Sequence, residues 1–281
     1  MVSYNQTAQS MCNLKKSTRK EVFIMARTEY GLQMYSMRDV TKDSMRKALE
    51  DVANMGYKYI EFAGFFDYNP EQIKTWLDTF GLVCSGTHTG MGAISPENID
   101  ETIRYHKIIG CENLIVPGCD WSTPEKAQGV IDTLNFAQKK LAENGIRLGY
   151  HNHSREFFPN KNGTVFENEV IEKTSVELEI DTFWLFNAGL NVIEFLEAHK
   201  DRIKVIHLKD GIPSEDCNKN YDHVHDGVKG FSVGSGRAPI KAVREWANKN
   251  GVLMVIESEG LQPTGTEEVR RCIEYLRTLD D

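Results

Sequence analysis

IRLGYHNH (146–153), VELEID (176–181), IKVIHLKD (203–210) and LMVIESE (253–259) are short apolar runs that give way, toward their carboxyl ends, to histidine or carboxylate. A strand turns successive side chains to opposite faces. His151 and His153 therefore share one face, while Ile146, Leu148 and Tyr150 occupy the other. The same alternation groups Asp181 with Glu179 and Glu177, leaving Val176, Leu178 and Ile180 to pack against helices, and it groups His207 with Val205 and Lys209. Glu257 and Glu259 end the last run.

Four earlier runs repeat the strand pattern: GLQMYS (31–36), KYIEF (58–62), LVCSGTH (82–88) and NLIVPG (113–118). Amphipathic segments separate the runs, among them TKDSMRKALEDVANMG, PEQIKTWLDTFG, SPENIDETIRYHKIIG, TPEKAQGVIDTLNFAQKKLAENG, LNVIEFLEAHK and RAPIKAVREWANKNG, and TGTEEVRRCIEYLRTL closes the chain. Several open on Ser, Thr or Pro followed by acids and several end at Gly, as helix caps require. Eight units of about 30 residues predict an α/β chain of one domain, a (β/α)8 TIM barrel over residues 29–281. A doubly wound open sheet is the second architecture to consider. Barrel enzymes place their reactive groups at the carboxyl ends of the strands, where His88, His151, His153, Asp181, His207 and Glu257 all fall. The two longest connections, 154–175 and 211–236, would lie at the same face.

The 281 residues are 40% hydrophobic and 26% charged, enough to bury a sizeable core. A formal net charge of -8 speaks against nucleic acid and anionic membranes as partners, since both demand a basic surface. Six scattered cysteines with no C-x-x-C pair read as reduced thiols, and no run is long and apolar enough for a membrane span, so the cytoplasm is the expected compartment. Residues 1–28 are polar without periodicity and read as a disordered extension, with Met25 as an alternative start.

Two histidines and two carboxylates on adjacent strands form a mixed nitrogen and oxygen donor set. It suits one divalent cation, Mn²⁺, Zn²⁺, Co²⁺, Fe²⁺ or Mg²⁺, better than Ca²⁺. Such an ion polarises a carbonyl and eases proton transfer at the neighbouring carbon. Taken together, GLQMYSMRD, GYHNHSREF, ELEIDTFW, VIHLKD, VGSG and MVIESEG resemble the xylose isomerase-like superfamily of sugar phosphate isomerases and epimerases, from about Tyr30 to the end of the chain. The resemblance implies a metal held by Asp181, His207 and Glu257, with His151 standing where relatives carry a glutamate. That replacement speaks against a symmetrical epimerisation by two carboxylates. Elimination beside a keto group, as in the related inosose dehydratases, needs only one base and one acid. Trp184 also departs from the pattern, replacing a histidine of many relatives, and an indole there suits stacking on a sugar ring.

The resemblance thus implies a metal-dependent isomerase, epimerase or lyase acting on a ketose, inosose or keto-glycoside. Glu257 would handle a proton on carbon while His153, His88 or Glu61 assists at oxygen. Other roles stay open: His153 as a structural hydrogen bond, Glu61 and His88 as plain interior polarity, and Lys209 as an anion binder or an ion-pair partner of Asp210 or Glu179. Glu179 and Arg147 are expected to form a buried ion pair. His106 and His199 are expected on solvated helix faces, the histidines of YDHVH (221–225) on an exposed lid, and Gly234 and Gly236 have the look of a phosphate cradle. An endonuclease IV-like phosphodiesterase and a non-catalytic sugar-binding barrel are the rival functions. Barrels of this type often associate, so a homo-oligomer is compatible with the sequence.

Overall fold

The computed structural model describes residues 28–215 and 219–280. The expected extension over 1–28 lies outside the described residues but for Thr28, and so does the alternative start at Met25. Eight parallel strands close a barrel, in the order β1 (Gly31–Gln33), β10 (Leu253–Ile256), β7 (Ile203–Leu208), β6 (Glu177–Asp181), β5 (Arg147–His151), β4 (Asn113–Val116), β3 (Val83–His88) and β2 (Tyr59–Phe62). Closure rules out the open sheet. The chain forms a single (β/α)8 barrel, with a two-stranded antiparallel pair, β8 (Asp210–Ile212) and β9 (Lys229–Phe231), inserted after β7.

Around the barrel run α1 (Arg38–Thr41), α2 (Met45–Asn54), α3 (Pro70–Phe80), α4 (Ile99–Ile109), α5 (Pro124–Ala142), α6 (Phe166–Lys173), α7 (Thr182–Asn187), α8 (Val192–Ala198), α9 (Ile240–Asn250) and α10 (Gly265–Thr278). The caps read from the sequence are in place. Asn69 and Gln72 form a capping box at α3 with Pro70 in the first turn, and Gly81 closes the helix in the left-handed region at φ +66°. Leu148, Tyr150, Leu178, Ile180, Ile206 and Ile256 belong to the core between barrel and helices. Ile115, Val205 and Val255 are buried apart from that core, on the faces whose neighbours include Gly86, Glu179 and His207. Gly86 keeps room for Ile115, since a Cβ there would come within 2.8 Å of the Ile115 Cδ1.

Three expectations are corrected. Arg147 does not reach Glu179: it starts β5 at the solvent-exposed lower end and pairs with Glu177 at 3.2 Å, while β5 and β6 run in a register that sets His151 beside Glu179. His106 is buried rather than solvated. Its Nδ1–H donates to the Thr102 carbonyl and its Nε2 accepts from the Thr87 hydroxyl, both at 2.7 Å, and burial lowers its pKa. The glycines of VGSG do cradle an anion, but it is the protein's own. Asp210 accepts from the backbone N–H groups of Gly211, Gly234, Gly236 and Ala238. A Cβ on Gly236 would lie 2.2 Å from the Asp210 Oδ1, so only glycine permits this approach.

Asp210→Ala removes a charged acceptor shared by those four N–H groups. It is expected to lower stability in urea unfolding by about 2–4 kcal/mol; a loss below about 0.5 kcal/mol would mean that the carboxylate does not hold this connection.

Candidate metal centre and cavity

The parallel register brings the strand ends into one layer. Asp181 is the lateral neighbour of His207, and His207 that of Val255, two residues before Glu257. His207 is fully buried between two carboxylates, its Nδ1 3.0 Å from Glu257 Oε2 and its Nε2 2.9 Å from Glu61 Oε2. Burial alone would lower its pKa, but Glu179 and Glu61, aided by Glu257, push it well above the ordinary imidazole range. His88 lies 2.8 Å from Glu179 and 3.4 Å from Glu61, and its ring stacks near that of His207 with centroids 5.4 Å apart.

His151 differs. Its Nδ1 is 3.2 Å from Glu179 Oε2 without the alignment of a hydrogen bond. Burial, reinforced by the His207 and His88 charges, holds its pKa well below the usual range, so it is a neutral imidazole with a lone pair to offer. Asp181 is similarly half-used. Oδ1 accepts the N–H groups of Phe183 and Trp184 at the start of α7, whereas Oδ2 is buried without a hydrogen-bond partner. Burial raises the Asp181 pKa, so its ionised form favours a nearby cation.

Ligand atoms from His151, Asp181, His207 and Glu257 lie within 4.8 Å of one another, and so do those of His88, His151, Glu179 and His207. The first group is the ligand set expected from the sequence. The neutral His151 nitrogen, the Asp181 oxygen that makes no hydrogen bond, and the His207 and Glu257 atoms that an ion would take over from their mutual hydrogen bond, with loss of the His207 proton, fit a divalent transition ion at this spacing.

Lys209 is buried behind the carboxylates as an ion-pair partner, one of the roles open to it from the sequence, but with other carboxylates. Its Nζ is 2.6 Å from Glu259 and 3.7 Å from both Asp181 and Glu257, and it sits 4.4 Å from the centre of the Trp184 ring. The expected pairing with Asp210 or Glu179 is therefore replaced. β7 ends at Leu208, and Asp210 turns instead into the glycine cradle. Burial opposes the ammonium, but Glu257, Asp181 and Glu259 hold its pKa above the ordinary lysine range. In turn Lys209 and His207 hold Glu257 well below the carboxylate range against its burial.

Above this layer opens a cavity of about 420 Å³, walled by Tyr35, His88, His151, His153, Glu257 and Glu259 among others. Of the four residues expected to touch substrate, only His88 is a wall. Glu61 lies behind His207 and His88, Lys209 behind the carboxylates, and Trp184 is buried with its ring against Lys209, so it does not present an open stacking face. His153 stands at the rim, with its side chain about one third exposed. The expected lid histidines divide. His223 is exposed beside Asp226, but His225 turns inward onto Trp184, where burial lowers its pKa to about 4. Tyr35 and Glu259 as cavity walls, and Glu179 as a neighbour of three histidines, were not assigned from the sequence. Period-two alternation placed Glu179 on the face of Asp181, but no motif pointed to Tyr35.

Residues 49–279 match the family described as xylose isomerase-like TIM barrel. An inosose dehydratase of Geobacillus kaustophilus is 24% identical over 198 residues, which cover 58% of this chain and 61% of that protein. The match thus spans about three fifths of the dehydratase. A 2-oxo-tetronate isomerase of Haemophilus influenzae is 23% identical over 63% of this chain and 80% of its own length. The fold is shared with a sugar phosphate isomerase/epimerase from Parabacteroides distasonis, at 23% identity and a TM-score of 0.67, over 90% of this chain and 94% of that one. Among the described residues, no helix is long and apolar enough to cross a membrane.

Lys209→Met leaves buried carboxylates without their counter-ion. Unfolding in urea is expected to show a loss of about 3–5 kcal/mol; a change within about 1 kcal/mol would contradict the role assigned to the ammonium.

Proposed function

The chain belongs to the xylose isomerase-like TIM barrel family, and from that premise we propose that it is a metal-dependent sugar isomerase, epimerase or lyase. In this reading it abstracts a proton next to the carbonyl of a ketose, inosose or keto-glycoside. The observation that carries the reading is the cluster of His151, Asp181, His207 and Glu257, in which Asp181 Oδ2 and His151 Nδ1 are buried without hydrogen bonds, beneath a cavity walled by His151 and Glu257. The distant relatives are a dehydratase and an isomerase, which agrees with this class of chemistry.

Asp181, His207, Glu257 and His151 would hold the ion. When bound, it supplies Lewis acidity to the substrate carbonyl and its neighbouring hydroxyl. Glu257, a cavity wall kept ionised by Lys209 and His207, takes the proton from carbon. His153, partly exposed at the rim, serves oxygen as donor or acceptor, and His88, another wall residue, orients a hydroxyl. Asp181 holds its orientation through the two N–H groups at the start of α7. Because His151 replaces a second carboxylate, a reaction with one base on carbon, isomerisation or elimination, is favoured over exchange between two opposed carboxylates.

In deuterated water with Mn²⁺, one member of a panel of ketoses, inososes and keto-glycosides is expected to acquire deuterium at a single carbon. Chelation should stop the exchange, and Glu257→Gln should slow it by about 10²–10⁴-fold, the usual contribution of a positioned base. Undiminished exchange in chelated protein, or a variant within about fivefold of the wild type, would refute the mechanism.

A further inference from the structure

Beside the central cavity lies a second compartment of about 280 Å³. The two share His88 and Gly64 in their walls, so they adjoin at the edge of the His88 ring. Their chemistry differs. The central cavity meets buried polar atoms that lack partners, whereas the polar groups of the side compartment already have them. Tyr105 donates its hydroxyl to the Tyr68 carbonyl, Thr102 donates to the Ala93 carbonyl, the Thr89 hydroxyl is bonded to that of Thr87, both nitrogens of His106 are engaged, and the Glu101 carboxylate, which also lines the compartment, is paired with Arg104 at 2.7 Å. What remains on offer is shape and apolar surface. Phe65 and Tyr105 line it as a stacked pair with ring centroids 4.1 Å apart.

The loop that carries Phe65 is held in an unusual backbone. Gly64 has φ +92°, and the non-glycine residues Phe66 and Asp67 have φ +48° and +65°. Each such non-glycine residue costs about 1–3 kcal/mol, and strain of this kind collects at ligand sites. Here it follows directly on Gly64, which lines both compartments, and Phe65, which lines the second. The volume suffices for a ring, since an apolar cavity of about 150 Å³ holds benzene.

We propose that the side compartment is a subsite for an aromatic-sized apolar substituent of the same molecule whose polar part occupies the central cavity. The preferred substrate is then a sugar conjugate bearing a ring-sized aglycone rather than a free monosaccharide. This rests on the sugar reading of the central cavity. Free monosaccharides would fill only the central cavity, while a conjugate spans both compartments across His88.

Calorimetric titration of the full chain, supplied with Mn²⁺, with methyl and phenyl β-D-glucopyranoside tests the subsite. Phenyl glucoside is expected to bind at least about tenfold tighter, the gain from burying one aromatic face, and Ala93→Trp, which fills the compartment, should shrink the ratio below about threefold. Equal affinities, or a ratio unchanged by Ala93→Trp, would overturn the subsite and leave the sugar reading standing. Binding by neither glycoside nor any ketose would overturn both. Should the variant fail to fold, intermolecular NOEs from the phenyl protons to the Phe65 or Tyr105 ring of the wild type, recorded with diamagnetic Mg²⁺ in place of Mn²⁺, read the same contact, and their absence from the saturated complex is a negative result for the subsite.

Discussion

The His207 imidazole, held by Glu257 at one nitrogen and Glu61 at the other, ties the top of the barrel to its interior. Burying charge without compensation is costly, so each ionisable group in this layer is positioned against another. Glu61 and Glu179 answer to His88 and His207, and the Lys209 ammonium answers to Glu257, Glu259 and Asp181. The atoms left over are informative for that reason. Four atoms of this layer, Asp181 Oδ2, His151 Nδ1, Glu61 Oε1 and Glu179 Oε1, remain buried without hydrogen bonds, and of these residues Asp181 and His151 belong to the cluster with His207 and Glu257 that a cation would join.

Lys209 and Trp184 extend the same logic outward. Trp184 follows Asp181 by three residues, in a short helix whose first N–H groups fix the Asp181 carboxylate. Its ring meets the Lys209 ammonium, an attraction available to any aromatic face. The indole therefore supports the cation behind the carboxylates instead of meeting a sugar directly, and His225 packs against it from the loop after β8. Rigid support behind the reacting layer is what a proton-transfer site requires.

Much of this was legible in the sequence because strand alternation and strand-end position are local properties. His151, Asp181, His207 and Glu257 were each placed by counting residues along one strand. Height in a barrel is not local. Arg147 and Glu179 do share the inward alternation of their strands, but the register sets Glu179 beside His151, four residues further along β5, so Arg147 meets Glu177 instead. The burial of His106 follows from helical spacing: Ile99, Ile103, His106 and Ile109 form the buried stripe of α4. The partners of Lys209 are illegible for another reason. The strand stops one residue before it, and its partners come from β6 and the segment after β10, which only the closed barrel brings together.

Diffraction from crystals grown with Mn²⁺, recorded across the manganese absorption edge, tests the central claim most directly. The account predicts one strong anomalous peak bounded by His151, Asp181, His207 and Glu257, lost in Asp181→Asn. A protein that takes up no ion there, or a peak at a site that excludes Asp181 and Glu257, would contradict it.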